Sequence, residues 1–208
     1  MPMQPPGVSQ EDQGIVEQHG GLGLAQRSGL DDGIAYLRAA YPQPDWRAHR
    51  NFGQLAEFWL NVHSALRGEA ADVAQVVDAF RGGKVDAAGF QRGFVPRFNG
   101  FLRHLDQHHR IEDAAYFPKF RALDQRMIVG FDLLEGDHVL IHQRLVATVD
   151  AARALLLALS SPGDAALRAA DAYATGADEF ADLLRRHLAD EEELVIPALL
   201  EHGERPLL

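Results

Sequence analysis

Three pairs of side chains have the types and spacing to hold a cation: His108 with Glu112, His138 with His142, and His187 with Glu191, each four residues apart. Residues at i and i+4 of a helix share a face about one turn apart, so each pair can reach a common ion. Each pair also interrupts an apolar stripe. His108 continues Phe101 and Leu105, His142 sits between Ile141 and Leu145, and His187 extends Phe180 and Leu184. These are inward positions, where a carboxylate among imidazoles needs mutual hydrogen bonding or a metal to offset its lost hydration. His63 in FWLNVHSALR, on the stripe of Trp59 and Leu66, adds a fifth imidazole. The candidate ligand set is therefore His63, His108, Glu112, His138, His142, His187 and Glu191.

Imidazole suits iron, zinc, copper and nickel, and carboxylates can bridge two ions, so this mixture fits a dinuclear site with iron favoured and zinc or manganese as substitutes. Two ions about 3.5–4 Å apart are a known catalytic arrangement. A single histidine on an apolar face is more often a hydrogen-bonded core residue, but three convergent pairs reverse that balance. Some assignments stay open. His49 in WRAHRNFG rivals His63 but sits at a helix start. His104 could stand behind the ligands, His109 could be an extra or alternative ligand, and Glu192 is the fallback for Glu191 in HLADEEE.

The bulk composition narrows the function classes. Lys+Arg of 20 against Asp+Glu of 30 gives a formal charge of -10, which repels nucleic-acid backbones and anionic lipid surfaces. With no cysteine, thiolate metal sites, iron–sulfur clusters and disulfides are excluded. No apolar run approaches the roughly 20 residues that span a bilayer, and the N-terminus lacks the regions of a signal peptide, so a cytoplasmic protein is expected. A hydrophobic content of 47% over 208 residues supports one globular domain with a substantial core.

The elements that must position the pairs are helices. Residues 1 to about 27 are rich in Pro, Gly and Gln and read as a flexible tail; GGLG at 20–23 lacks the strand and Lys-Ser/Thr of a phosphate loop. A short helical pattern over 30–46 reads as a strap or lid. Four longer segments then show apolar residues at spacings of three and four. The first starts near Asn51 and closes at GGK, 82–84. The second begins at an Asp86 cap, carries a Phe-rich face, kinks at Pro96 and ends before Pro118. The third covers about 130–159 and the fourth about 164–194, terminated by Pro197. No period-two run competes, so the expected architecture is an all-α, antiparallel up-down four-helix bundle over 46–202, after an N-terminal extension (1–45) and before a short tail (203–208).

HHRIEDAAYFP at 108–118, GDHVLIHQRL at 136–145 and HLADEEELVIP at 187–197, with FWLNVHSALR, resemble the hemerythrin-like family, also called the HHE cation-binding domain. The resemblance covers about residues 46–202. It implies a non-haem diiron centre with two carboxylate bridges and a solvent-derived oxo or hydroxo bridge, and carries the seven residues above over as ligands. Members that carry oxygen place an Asp five residues after the last histidine, whereas Glu191 follows at four, so oxygen transport is not implied. The expected function is binding, sensing or reaction of a small oxidant: O2, NO or peroxide. An iron-dependent regulatory or partner-binding module and a diiron redox enzyme are the alternatives, since no separate acid–base pair or substrate motif decides between them. A ferritin-like site would need two Glu-x-x-His pairs, and only Glu135 with His138 has that spacing.

Overall fold

In a computed structural model, residues 23–161 and 164–207 are described, and among them there are helices and turns but no strands. The expected tail over 1–22 lies outside the described residues. The helices are α1 (Gln54–Arg81), α2 (Ala87–Ile111), α3 (Phe117–Leu123), α4 (Ile128–Ala158) and α5 (Ala165–His202). Consecutive long helices pack side by side, and α5 returns against α1, which closes the up-down bundle. No described helix is long and apolar enough to cross a membrane.

Several helix ends are set as the sequence dictates. The Asp86 side chain accepts from the Gly89 N–H at 2.7 Å, the expected cap of α2. Helix α1 has Gly53 at its N-cap and therefore no capping side chain of its own. Glu204, from the far end of the chain, supplies one: its Oε1 accepts from the Leu55 and Ala56 N–H groups at 2.8 and 3.0 Å. A Cβ at position 53 would lie 2.5 Å from Glu204 Oε2, so the glycine leaves room for this borrowed cap.

Two proline-based expectations are corrected. Residues 112–116 form a single π turn, Glu112–Tyr116, and the chain continues as α3 with Pro118 in its first turn, where a missing N–H is harmless. Pro197 likewise lies inside α5, which runs on to His202 through a fully buried stretch whose packing outweighs the lost hydrogen bond.

Three apolar clusters fill the interior. At one end, Phe80, Phe90, Phe94, Phe98 and Tyr173 pack with Val77, Leu155 and Ala170. The middle cluster holds Leu66, Phe101, Leu105, Ile141, Phe180 and Leu184. At the other end, Trp59, Phe117, Phe120, Phe131, Leu134 and Val195 pack with the connecting segments. The histidines fall between the last two: His63 separates Trp59 from Leu66, His138 separates Leu134 from Ile141, and His187 and Glu191 separate Leu184 from Val195. The polar residues thus form one layer between two oily ones.

Residues 23–41 make turns rather than a helix, with Ile34 N bonded to Asp31 O and Arg38 N to Ala35 O. They lie on the bundle, burying Leu24 in the middle cluster and Leu30 and Ala35 in the end cluster. The end of the expected flexible tail, Leu24 and Arg27, is therefore buried.

Candidate metal centre

Four histidines or carboxylates from three helices and the π turn, His63, His108, Glu112 and Glu191, bring one ligand atom each to within 4.8 Å of one another. His109, His138 and His187 form a second such group. Helix α1 contributes His63, α2 contributes His108 and His109, α4 contributes His138, α5 contributes His187 and Glu191, and Glu112 opens the π turn. That turn is a common device at functional sites, because the added residue re-aims the chain without breaking the helix.

The two groups are joined by their carboxylates. Glu112 Oε1 lies 3.0 Å from His108 Nδ1 and its Oε2 lies 3.7 Å from His138 Nε2. Glu191 Oε1 lies 3.7 Å from His63 Nε2 and its Oε2 lies 3.5 Å from His187 Nε2. Each carboxylate therefore spans from one histidine group to the other. The His138 and His187 Nε2 atoms face each other at 3.1 Å, and the His109 ring stacks on His138 with centroids 4.0 Å apart.

Three imidazoles are held from behind by an acid on Nδ1. His63 meets Glu192 Oε1 at 2.9 Å, His138 meets Asp113 Oδ1 at 2.8 Å, and His187 meets Asp137 Oδ2 at 3.3 Å. An acid on Nδ1 fixes the tautomer and turns the Nε2 lone pair inward, the arrangement that metal-bound histidines use. Trp59 Nε1 donates to Glu191 Oε1 at 2.8 Å, leaving the other oxygen free. Glu192 also accepts from Arg67 and lines a surface cleft of ≈ 340 Å³ with Trp46 and Arg47, so His63 is one side chain from solvent.

Seven buried side-chain atoms lack a hydrogen-bond partner among the described residues, and six of them are here: Nε2 of His63, His108 and His109, both Glu112 oxygens and Glu191 Oε2. Unmet polar atoms are costly in an interior, and a concentration of lone pairs at one point is what a cation would satisfy. The donor set of imidazole and carboxylate fits a metal held by nitrogen and oxygen.

Charge is distributed unevenly over the layer. Burial, reinforced by Glu191, drives Glu112 well above the usual carboxylate range. Glu191 is held well below it despite its own burial, because His63, His108 and His187 face it. Burial disfavours the charged form of His63, but Glu191 and Glu192 together outweigh it and push the group up to about 9. Burial carries His108 down to about 3 and lowers His109 and His187 as well. The result, without a cation, is one charged His63–Glu191 pair beside neutral His108, His109 and His187; a cation bound at His63 and Glu112 would displace their protons.

The structure brings together His63, His108, Glu112, His138, His187 and Glu191 from the expected set and leaves out His142, which is exposed. The inward stripe of α4 steps from His138 to Ile141, three residues, and then by four to Leu145, so Ile141 takes the place and His142 turns out beside the exposed Val139 and Val146. His109 fills the gap. It lies four after the buried Leu105 as His108 lies three after it, so both histidines face inward. The other open positions also resolve: His49 Nδ1 accepts from the Asn51 N–H, His104 pairs with Glu69 at 3.0 Å, and Glu192 stands behind His63. Among the aromatic side chains, Trp59 and Phe117 touch the layer, Phe117 lying 5.5 Å from the His138 ring, whereas Phe101 sits in the middle cluster and Phe98 packs on Phe94.

The family model described as hemerythrin HHE cation binding domain matches residues 54–199, and the chain belongs to that family. Comparison with curated proteins and with solved structures gave no match. The matched span starts at the first residue of α1 and ends within α5, so it takes in every residue of the His/Glu layer.

Proposed function

We propose that the layer holds two iron ions, with His63 and His108 serving one, His109, His138 and His187 serving the other, and Glu112 and Glu191 shared between them. The observation that carries this reading is the span of each carboxylate from one histidine group to the other, at 3.0–3.7 Å from nitrogens on both sides. Such a centre, when ferrous, supplies electrons to a small oxidant or binds NO, and O2, NO or peroxide is the proposed ligand class. The chain's own part is to orient and to shield. Trp59 fixes Glu191, the three acids behind His63, His138 and His187 aim their rings, and the apolar clusters above and below keep bulk water out. His63, His187 and Glu191 are fully buried while His108, His109 and His138 are 6–9% exposed, so small molecules reach the layer most directly from the α2/α4 side.

The test is anaerobic loading with ferrous iron, elemental analysis, and an optical spectrum before and after oxygen and then azide. We expect about two irons per chain and visible absorption that azide alters. Fewer than one iron per chain with no visible absorption after oxygen overturns the reading.

A further inference from the structure

Arg27 approaches the His/Glu layer from outside the bundle. Its side chain is 2% exposed, and it joins two helices at the level of the layer. Nε donates to Asp190 Oδ2 at 2.7 Å, Nη1 donates to Asp137 Oδ1 at 2.9 Å, and Nη2 donates to Asp137 Oδ2. Asp137 immediately precedes His138 on α4, and Asp190 immediately precedes Glu191 on α5. The same Asp137 Oδ2 that meets Arg27 is the oxygen behind His187 Nδ1. One planar guanidinium thus fixes the acid that aims one candidate ligand and the backbone neighbours of two more. A fork of fixed geometry suits this task better than a flexible ammonium.

Arg27 belongs to a segment that is tied to the bundle at several points. Leu24 and Leu30 are buried, Arg186 Nη1 donates to the Leu24 carbonyl at 2.6 Å, Arg38 donates to Glu193 at 2.7 Å, and Tyr36 donates to Asp124 at 2.9 Å. These bonds tie residues 23–41 to α4, α5 and the turn before α4, and the family match begins only at residue 54.

We propose that Arg27 is a positioning residue for the metal centre: by clamping Asp137 and Asp190 it sets the His187 ring, so that docking of residues 23–41 and cation binding strengthen each other. This rests on the layer being a metal site. Two events that share one set of contacts are coupled reciprocally, so metal must protect the segment by the factor by which the docked segment tightens metal.

The experiment uses the full chain and Zn2+, a redox-silent probe, with affinity measured by chelator competition and backbone hydrogen exchange followed over 24–37. In the unmodified protein, Zn2+ should slow exchange across this segment by about 10-fold or more. Arg27→Met should weaken Zn2+ binding by about 10- to 100-fold, the usual effect of removing a group that orients a ligand, and abolish the added protection. Arg27→Lys, which keeps the charge without the fork, should fall between. Tight Zn2+ binding with unchanged exchange over 24–37 overturns the inference while leaving the metal reading intact, as does wild-type affinity in a folded Arg27→Met protein. If that variant does not fold, the exchange result on the unmodified chain decides alone. Failure of the unmodified protein to bind either Zn2+ or ferrous iron refutes the metal reading, and this inference with it.

Discussion

The Phe-rich end of the bundle and its His/Glu layer solve the same burial problem with different materials. Around Phe90, Phe94 and Tyr173 the helices are joined by stacked and edge-on aromatic rings, with Phe90 and Phe94 centroids 4.9 Å apart and Phe94 and Tyr173 5.3 Å apart. Two turns beyond Phe101, the same four helices meet through imidazoles and carboxylates that keep unpaired atoms inside. The aromatic end is complete as it stands, because packing alone satisfies it. The His/Glu layer is complete only with something that accepts its lone pairs. Stability and function are thus assigned to separate levels of one core.

The largest effect that would test this division is at the aromatic end. Phe94→Ala removes a fully buried ring and should cost about 3–5 kcal/mol of unfolding free energy while leaving metal stoichiometry unchanged. Chemical denaturation combined with elemental analysis checks both; a loss of metal alongside the loss of stability would show that the two levels are not independent. A sharper contrast lies within the His/Glu layer itself. His109→Ala should reduce bound iron from about two per chain toward about one, whereas His142→Ala, altering an exposed side chain, should leave stoichiometry and melting temperature as they were. Equal losses in both variants would restore His142 to the ligand set.

The smallest effect is the pH dependence of the metal-free protein. His108 is carried from its ordinary value of 6.5 down to about 3, and His109 and His187 shift in the same direction, so the unfolded chain takes up more protons below 6.5. Their contribution is full above pH 6.5 and is lost as pH falls toward 3. His63 is raised from 6.5 to about 9, so its contribution is full below 6.5 and is lost as pH rises through 9. Glu112, raised well above its ordinary value, adds a loss as pH rises, and Glu191, held well below its own, adds a loss as pH falls below 4.5. Thermal melts with chelator present should therefore pass through a maximum and fall on both sides. A flat profile between 5 and 8 would contradict the protonation pattern of the layer.

Much of this was legible in the sequence because a helix repeats itself. His108, Glu112, His187 and Glu191 stand at spacings that a 3.6-residue period places on one face, and Asp86 announces its own cap. The choice between His109 and His142 was not legible, since it depends on whether the stripe advances by three or by four at one particular turn. On α4 it advances by three and Ile141 faces inward. The π turn at Glu112–Tyr116 shifts the register of α3 by a residue, and no local residue preference encodes it. Arg27 was hidden for a different reason. A Gly- and Gln-rich segment cannot bury much apolar surface by itself, and Arg27 pairs with two acids 110 and 163 residues away. Long-range pairing of that kind leaves no periodic trace.

Glu204 adds a constraint on the order of events during synthesis. The opening turn of α1 is closed by a carboxylate translated 149 residues after the Leu55 amide it receives. While the chain is still emerging from the ribosome, that turn has no cap, and the layer below it has neither His187 nor Glu191. Both deficits end only once α5 and the turn after it have been made, so the nascent domain completes the start of α1 and its His/Glu layer late, after α2 has been capped by its own Asp86.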